Sequence, residues 1–439
     1  MKILATVLCV GCFAGSFAEA GSVADEAKTI RIIIDADTAN EIDDFYAIVR
    51  GLLAPEFRVE GLCSATFGRN PPASNIRASQ QFNEEILAHL GLSETVPAPM
   101  GSATPMPDKR TPVDSPAARH IIKCAHAGGP GNKLWVIATG QCTNLASALL
   151  IDPAIKDKVV FAFIDGDFKN GRWGPGIYNW KNDIHAVQAI FESDVEYFHM
   201  PAPSVSGQLK MAKADAEKHL KGRGGIHDYL LNRWNTFRPE QKLWTMWDIA
   251  LVEAILWPDM ATAKTAGAPI VRGVREVEQS PDNPRRVTVW VDIDEKRMLD
   301  DFWRVLDQHA VKNDEKAQTD KEMLQGTWEY VSAIRDGKPY MPPIGVRITF
   351  VGDDITRKIG EKTHKHKFKV YPNGKPRRIS LIEMKDGKQE VSTGIYSLEG
   401  DTLTWCFNLP GKPIPETLTS NEGDDLTLCV LKRVRPEKE

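Results

Sequence analysis

One short segment carries the strongest chemical signal in the sequence. Within ten positions the chain holds five carboxylic acids, which are Asp35, Asp37, Glu41, Asp43 and Asp44. Such crowding of negative charge is costly unless a cation balances it, and carboxylate oxygens are ligands suited to Ca²⁺ or Mg²⁺. An alternative is that Asp43 and Asp44 complement the dipole of a following helix, but this would explain only those two acids. We therefore predict a cation site in this segment.

The flanking sequence predicts elements that place these acids at the edge of a sheet. Buried-strand runs at 30–34, 59–63, 134–138 and 159–164 alternate with amphipathic helical stretches at 43–53, 75–90, 144–150 and 185–191. This alternation is typical of an α/β domain with an open, mostly parallel sheet flanked by helices. Ligands of such sheets bind beyond the carboxyl ends of the strands, so the acids should face a cleft. We expect this domain to span residues 29–311.

The sequence changes character after residue 311. Residues 312–320 are polar throughout, which predicts a linker. Beyond them, alternating runs such as 347–350, 367–371 and 403–407 are separated by turns that contain Gly. We predict a small all-β domain over residues 321–436.

Length and composition limit the class of protein. The 439 residues suffice for more than one domain, and the hydrophobic fraction of 42% predicts packed cores. With 55 basic and 59 acidic residues the formal net charge is -4, which provides no cationic surface for a polyanion. Nucleic acid is therefore not an expected partner.

The N-terminus predicts export. A basic residue, an apolar run at 3–13 and small residues that end at Ala20 follow the order of a secretory signal peptide, which we assign to residues 1–20. A lipid anchor at Cys12 is the alternative, but Cys9 stands where a lipoprotein signal carries Leu. No later stretch approaches the roughly 20 apolar residues of a transmembrane helix. We expect a secreted or periplasmic protein, cleaved near Ala20, without a transmembrane segment.

The cysteines that follow the signal peptide indicate no zinc site, because none forms a Cys-x-x-Cys pair. Cys406 and Cys429 both lie in short apolar runs of strand type. They could pair in an oxidising compartment if their strands are neighbours. Two buried free thiols are an equal alternative, and the sequence leaves both open.

Three further segments, together with the aspartate cluster, give the sequence a family resemblance. They are Ala138–Ala146 (ATGQCTNLA), Tyr178–Asp183 (YNWKND) and Trp247–Ala250 (WDIA). In this order the segments resemble the motifs of the nucleoside hydrolases, the inosine-uridine-preferring nucleoside N-ribohydrolases. The resemblance implies a hydrolase that cleaves the N-glycosidic bond of nucleosides or related ribosyl compounds with Ca²⁺ as cofactor. It also implies a small-molecule partner and is compatible with a homo-oligomer.

The resemblance implies a role for each matching residue. Asp37 would bind the metal and act as the general base that activates water, and Asp44 would be a bidentate calcium ligand. The backbone carbonyl of Thr143 and the carboxylate of Asp248 would complete the protein's share of the coordination shell. The residues implied to contact the sugar are Asp43, Asn70, Asn179 and Asn182.

Two departures from the family pattern concern the reaction. The loop 38–42 is longer than in the commoner form of the family, and Trp247 stands where purine-type members carry a histidine that protonates the leaving base. An indole is expected to stack on the substrate but not to donate a proton at neutral pH. The general acid is therefore unassigned. Its candidates, His185, His227 and Tyr229, are each more simply explained as surface or packing residues.

The C-terminal segment has a resemblance of its own. Leu324–Trp328 (LQGTW), Gly394–Leu403 and the closing Leu431–Arg433 are similar to a small lipocalin-like β domain that recurs in secreted bacterial proteins. The resemblance implies a β-barrel, which could hold a ligand, dock a partner or act as a spacer.

Two other functions are open from the sequence. A phosphotransferase of the haloacid dehalogenase type also begins with a strand and Asp-x-Asp, but Ala39 occupies the position where its motif carries Thr or Val. A non-catalytic ribosyl-binding or sugar-binding protein on the same scaffold would explain Trp247. The presence of Asp37, Asp44 and Asp248 argues against that loss of function, because unused buried carboxylates destabilise a fold.

Overall fold

The computed structural model of the chain describes residues 29–68, 73–129, 131–340, 345–359, 361–374, 376–385, 388–408 and 412–435. The predicted signal peptide and Asn70 lie outside the described residues. Among the described helices, none combines the length and apolar character needed to cross a bilayer.

The helices follow the amphipathic stretches of the sequence. They are α1 Asp43–Leu52, α2 Ala73–Leu90, α3 Pro116–Ala127, α4 Thr143–Ile151, α5 Asn179–Asn182, α6 Ile184–Glu192, α7 Lys213–Leu220, α8 Gly225–Phe237, α9 Trp247–Leu256 and α10 Glu295–Leu324. Short 3₁₀ helices occupy Pro153–Lys158, Ser206–Gln208 and Pro258–Met260.

The strands fall into two groups. Those of the α/β region are β1 Ile30–Ala36, β2 Phe57–Ser64, β3 Leu134–Ala138, β4 Val159–Ile164, β5 Asp167–Lys169, β6 Arg172–Gly174, β7 Glu196–Met200, β8 Lys210–Ala212, β9 Leu243–Thr245, β10 Ala261–Gly267, β11 Ile270–Gly273, β12 Glu276–Glu278 and β13 Arg286–Ile293. Those of the C-terminal region are β14 Gly326–Arg335, β15 Lys338–Pro339, β16 Arg347–Val351, β17 Asp354–Ile359, β18 Lys362–Tyr371, β19 Arg377–Lys385, β20 Lys388–Glu399, β21 Thr402–Phe407 and β22 Thr427–Arg433.

The predicted open sheet is confirmed. Within the described residues its strand order is β10-β13-β7-β4-β3-β1-β2, and all neighbours pair in parallel except β10 with β13. β1 lies between β2 and β3, so the chain moves to one side of β1 and then to the other. A ligand site is expected at the carboxyl ends of strands beside such a reversal.

Each face of the sheet carries a packed core, which explains the continuous apolar runs of its strands. Ile32 and Ile34 of β1 pack with α1 and α9 on one face, while Ile33 packs with α3 and α4 on the other. Strands buried on both faces are uniformly apolar, as parallel strands covered by helices require.

The predicted all-β domain is a closed barrel. Among the described residues, β14 and β16 to β22 pair in sequence order and antiparallel, and β14 pairs with β22 to close the barrel. Trp328, Phe350 and Trp405 belong to its buried core. Closure leaves the barrel without long exposed edges.

The segment 312–320, predicted as a linker, requires a correction because it is helical. It lies within α10, which runs without a break from the sheet to the barrel. Asp294 caps the start of this helix by accepting a hydrogen bond from the backbone N–H of Arg297 at 3.0 Å. At its end Leu324 is fully buried in the barrel core. A polar composition is compatible with a solvated helix as well as with a loop. The segment is helical because both ends of α10 are packed in hydrophobic cores, which stabilises the helix between them.

Cys406 and Cys429 are free, buried thiols. Their strands β21 and β22 are neighbours, but Cys406 is paired with Leu428, and Cys429 with Trp405. Because successive residues of a strand point to opposite faces, the two thiols lie on opposite sides of the barrel wall.

A buried ion-pair network joins the helices on one face of the sheet. Arg50 of α1 donates to Glu253 of α9 at 2.6 Å and to Asp301 of α10 at 2.5 Å. The indole N–H of Trp257 also donates to Asp301, at 3.1 Å. Arg50 and Glu253 are both fully buried, so the carboxylate of Glu253 has no water to replace Arg50 as a partner.

Arg50→Ala should therefore lower the free energy of unfolding by about 3–5 kcal/mol, because it leaves the buried carboxylate of Glu253 without its cation, whereas Asp301 keeps its ion pair with Arg304. Urea denaturation followed by tryptophan fluorescence would measure the change. The matched control is Arg119→Ala, which breaks an ion pair to Asp114 whose side chains are 58% and 61% exposed. That loss should be much smaller, because water solvates both charges when the pair is broken. Equal losses in the two variants would contradict a structural role for the network.

Candidate active site

A cavity opens at the carboxyl end of β1, where the predicted aspartates lie. Its volume is about 260 Å³. The described residues that line it are Asp37, Asn40, Glu41, Asp43, Asp44, Thr139, Ile164, Asp165, Ile177, Tyr178, Asn179, Ala202, Trp247 and Asp248. They come from the ends of β1, β3 and β4 and from the first turns of α1, α5 and α9. The sheet thus gathers acids that are more than 200 positions apart in the sequence.

Asp37 and Asp44 both line the cavity, and their carboxyl groups lie close enough to interact. Both are almost completely buried. Burial, and then the nearby charges of Asp44 and Asp43, hold the pKa of Asp37 well above its usual range. Burial raises the pKa of Asp44 to about 7. The Oδ2 atom of Asp37 is buried with no hydrogen-bond partner.

Asp43, Asp44 and Asp248 form a triad suited to a metal ion. One carboxylate oxygen from each lies within 4.8 Å of the others. Asp43 and Asp248 share a hydrogen bond, and burial followed by the charges of Asp43 and Asp44 raises the pKa of Asp248 well above its usual range. The triad lies at the N-terminal turns of α1 and α9, whose dipoles favour negative charge.

The donor chemistry of this site fits a hard divalent cation. The ligands are carboxylate oxygens, and no thiolate or imidazole lines the cavity among the described residues. Adjacent buried carboxylates cannot all ionise without a counter-charge. The Oδ2 atom of Asp37 is also buried and lacks a partner. A bound cation would balance the charge of the carboxylates and give this oxygen a partner.

Thr139 and Asn179 brace the site from the neighbouring strands. The hydroxyl of Thr139, just beyond β3, donates to Asp44 at 2.7 Å. The side-chain amide of Asn179 donates to the backbone carbonyl of Thr139 at 2.7 Å and to that of Ile164 at 3.1 Å. These bonds fix Asn179 at the cavity wall, where its role in substrate binding was predicted.

Asp165 organises the loop that carries Asn179. Its carboxylate accepts hydrogen bonds from the backbone N–H groups of Ile177 at 3.0 Å and Trp180 at 2.7 Å, and also from Tyr178. Sequence reasoning missed this residue. Its signal was available, since Asp165 directly follows the predicted strand 159–164 just as Asp37 follows the first strand.

The rim of the cavity is aromatic. Tyr178 is 38% exposed, and its hydroxyl donates to Oδ1 of Asn40 at 2.8 Å across the mouth. Trp247 lines the opposite part, and its ring packs so closely on Gly207 that a Cβ there would lie 2.7 Å from it. Gly207 therefore sets the position of the indole. Asn40, Glu41 and Tyr178 were not predicted as site residues.

The structure does not bring every predicted residue to the cavity. Thr143 is buried in the first turn of α4, donates its hydroxyl to Asp183 at 2.5 Å and does not line the cavity. Thr139, four positions earlier, does line the cavity. Asn182 is 4% exposed and also lies outside the lining residues, whereas Asn70 is not among the described residues.

None of the three general-acid candidates, all of them described, lines the cavity. His227 is fully buried, and its Nε2 lies 3.0 Å from the backbone carbonyl of Leu306. Tyr229 donates its hydroxyl to Glu85, and Nδ1 of His185 lies 3.2 Å from Gln188. All three are packing or surface residues.

Gly140 provides the space in which Asp37 sits. A Cβ on Gly140 would lie 2.8 Å from Cβ of Asp37 and 3.0 Å from its backbone nitrogen. Gly140→Ala should displace Asp37 and reduce kcat/KM about 10–100-fold, because small misplacements of catalytic groups have effects of this size. Steady-state kinetics of ribose release would measure it. Gly129→Ala is the control, since a Cβ at Gly129 meets nothing within 4 Å, and equal activities would contradict the steric argument.

Comparison with known proteins places this arrangement in a family. The sequence matches the model of the family "Inosine-uridine preferring nucleoside hydrolase" over residues 32–300, which is more than half of the chain. The chain therefore belongs to this family. Membership excludes the haloacid dehalogenase alternative.

The individual relatives have low sequence identity to this chain. A curated protein of Dictyostelium discoideum, "Probable ribonucleoside hydrolase", is 25% identical over 183 residues, which are 41% of this chain and 47% of that protein. The chain thus spans about half the length of this relative. The plant nucleoside hydrolase PpNRh1 has a TM-score of 0.51 and 22% identity, covering 63% of this chain and 98% of its own. The inosine-uridine preferring nucleoside hydrolase of Bacillus anthracis has a TM-score of 0.50 and 19% identity, covering 64% and 100%. Both structures support the fold.

Proposed function

We propose that the protein is a calcium-dependent nucleoside N-ribohydrolase, which hydrolyses the N-glycosidic bond of a nucleoside or related ribosyl compound to ribose and free base. The observation that carries this proposal is the convergence of Asp37 and the triad Asp43, Asp44 and Asp248 in one cavity. Family membership supports the reaction class. Ca²⁺ is favoured over Mg²⁺ because it accepts several carboxylates in irregular geometry.

Asp44, Asp248 and Asp43 would hold the cation, with Asp37 beside them. When bound, Ca²⁺ supplies a positive charge that favours ionisation of a nearby water and attracts vicinal sugar hydroxyls. This charge also allows the neighbouring carboxylates to ionise together.

The chain's own residues perform the remaining steps. Asp37 would take a proton from the attacking water, because its side chain lines the cavity and its Oδ2 has no hydrogen-bond partner. Asn179, fixed by two backbone carbonyls, is placed to hydrogen-bond the sugar. Trp247 offers an apolar face to the sugar or base. Together they hold the anomeric carbon near the water as positive charge develops on it.

The direct test is release of free ribose from a panel of purine and pyrimidine nucleosides, with added calcium and with a chelator. We expect release that requires calcium. Calcium binding without release from any nucleoside would support the ribosyl-binding alternative instead.

We also propose that the protein acts outside the cytoplasm. The proposal rests on the signal-peptide pattern of residues 1–20. Fractionation of cells that express the full chain, with N-terminal sequencing of the product, would test it. A mature chain that starts at residue 21 in the exported fraction is expected, and an intact chain in the cytoplasm would contradict it.

A further inference from the structure

The loop 38–42 separates the candidate base from the metal-site acids. Asp37 precedes the loop, and Asp43 and Asp44 follow it. The distance and orientation between these carboxylates therefore depend on the shape of the loop. A free connection of this length has many conformations, and ordering it when a ligand binds would lower the affinity. The contacts that hold the loop thus bear on the chemistry of the site.

Helix α2 binds the first half of the loop through hydrogen bonds. The hydroxyl of Thr38 donates to Oδ1 of Asn83 at 2.6 Å. The backbone N–H of Ala39 donates to Oγ of Ser79 at 3.3 Å. The side chains of Thr38, Ser79 and Asn83 are all fully buried, so water does not compete for these bonds.

Ser79 and Asn83 are placed to act together. They are four positions apart in α2 and therefore lie on the same face of the helix. The side-chain amide of Asn83 also donates to the backbone carbonyl of Cys63 in β2, at 3.2 Å. Asn83 thus connects the loop to the strand that lies beside β1 in the sheet.

The same helix contacts the chain beyond the loop. Phe82 of α2 lies against Phe45, the residue after Asp44, with ring centroids 5.2 Å apart. The guanidinium of Arg233 lies over both rings, 4.7 Å from the centroid of Phe45 and 4.2 Å from that of Phe82. Contacts between aromatic rings and between a cation and a ring are attractive. Helix α2 therefore holds the chain on both sides of the loop.

These supporting residues lie outside the cavity. Thr38, Ser79 and Asn83 are absent from its described lining, so they would affect an ion or a substrate only through the loop. Asp37 depends on such support, because its Oδ2 has no hydrogen-bond partner. On its other side a Cβ at Gly140 would lie 2.8 Å from Cβ of Asp37, which leaves little room for movement.

We propose that Ser79 and Asn83 are positioning residues, which hold the loop 38–42 so that Asp37 and the pair Asp43 and Asp44 converge on the cation. This inference rests on the proposed calcium-dependent function. Folding, rather than ion binding, would then meet the entropy cost of ordering the loop. Groups that orient metal ligands from outside the coordination shell typically contribute about 10–100-fold to metal affinity or activity.

Thr38→Val tests the inference, because it keeps the shape of the side chain and removes the hydroxyl that binds Asn83. We expect the calcium Kd to rise about tenfold and kcat at saturating calcium to fall about 10–100-fold. KM should change less, since Asn179 and Trp247 are unaltered. Isothermal titration of the full-length protein with calcium alone would measure Kd, and ribose release would give kcat and KM. Thr38→Ser retains the hydroxyl and should restore both Kd and kcat.

Tyr46→Phe is the matched control. It removes a fully buried hydroxyl of α1 that donates to the backbone carbonyl of Leu230 at 3.3 Å, away from the loop. This variant should be less stable but keep the calcium Kd. If Thr38→Val also lost only stability, with calcium binding and kcat unchanged, the hydrogen bond to Asn83 would be merely structural and the inference would be overturned.

Ser79→Ala provides a second test that holds even if Thr38→Val does not fold. It removes the acceptor of the Ala39 N–H and leaves only a methyl group, so the chain should fold. The calcium Kd should rise, by less than in Thr38→Val because this bond is longer. A Kd and a kcat equal to those of the unaltered protein would overturn the inference.

The calcium Kd separates this inference from the proposed function. If the unaltered protein binds calcium but releases no ribose from any nucleoside, the hydrolase proposal fails, and the Kd values of Thr38→Val and Ser79→Ala still decide the inference. If the unaltered protein binds no calcium, both proposals fail.

Discussion

Asp37→Asn should lower kcat/KM for ribose release by about 10²–10⁴-fold, the range expected when a general base is removed. Asn keeps the size of the side chain but cannot take a proton from water. The fold should survive, because the change removes one charge from a crowded group of buried carboxylates. Steady-state kinetics at saturating calcium, together with thermal denaturation, would separate the loss of activity from any loss of structure.

Asp35→Asn is the matched control. Asp35 lies two residues earlier, within β1, and is fully buried, but it accepts a hydrogen bond from Asn144 at 2.9 Å and does not line the cavity. Asn at this position keeps an acceptor oxygen for Asn144 and removes a buried acid, so the replacement should change stability little and have a far smaller effect on kcat than Asp37→Asn. Near-normal turnover by Asp37→Asn would show that another group activates the water.

Calcium should raise the Tm of the protein, and a chelator should reverse the shift and stop ribose release. A ligand present at 100 times its Kd stabilises the native state by about 2.7 kcal/mol. For a domain of this size that corresponds to an increase in Tm of about 5–10 °C. The physical reason is that the cation relieves the repulsion among Asp43, Asp44 and Asp248. One carboxylate oxygen of each lies within 4.8 Å of the others. Differential scanning fluorimetry over a calcium titration would measure the shift.

Asp248→Asn should remove most of this calcium-dependent shift. Its matched control is Asp157→Asn, which changes an exposed carboxylate far from the cavity and should retain the shift. A full shift in Asp248→Asn would mean that calcium stabilises the chain at another place.

Much of the site could be predicted from the sequence because its acids are placed by strands. Asp37 follows an unmistakable buried strand, and Asp43 and Asp44 begin the next helix, so their side chains converge wherever the sheet is formed. Periodicity locates β3 and α4 but does not show which residue of the turn between them faces the cavity, where Thr139 and not Thr143 is a lining residue.

The parts that could not be predicted depend on contacts between distant segments. Asn40 and Tyr178 meet across 138 positions, and neither carries a signal that points to the other. The same limit applies to His227, whose buried environment depends on α10 and is absent from its local sequence. Local patterns therefore located the cluster of acids but not the contact between Asn40 and Tyr178 at the rim of the cavity.

Helix α10 belongs to the packing of both domains, because its first half lies in the core of the α/β domain and its second half packs against the barrel core. Ala317 packs against the barrel core, and Asp320 accepts hydrogen bonds from Arg377 and from Tyr396 of the barrel wall. The exposed residues of 312–320 are held in a helix, which a protease cannot cleave without local unfolding, so limited proteolysis should spare this segment. A barrel expressed from residue 321 would lack part of its own wall packing. Transfer of this barrel to another protein, in the laboratory or by gene fusion, would have to carry the second half of the helix with it.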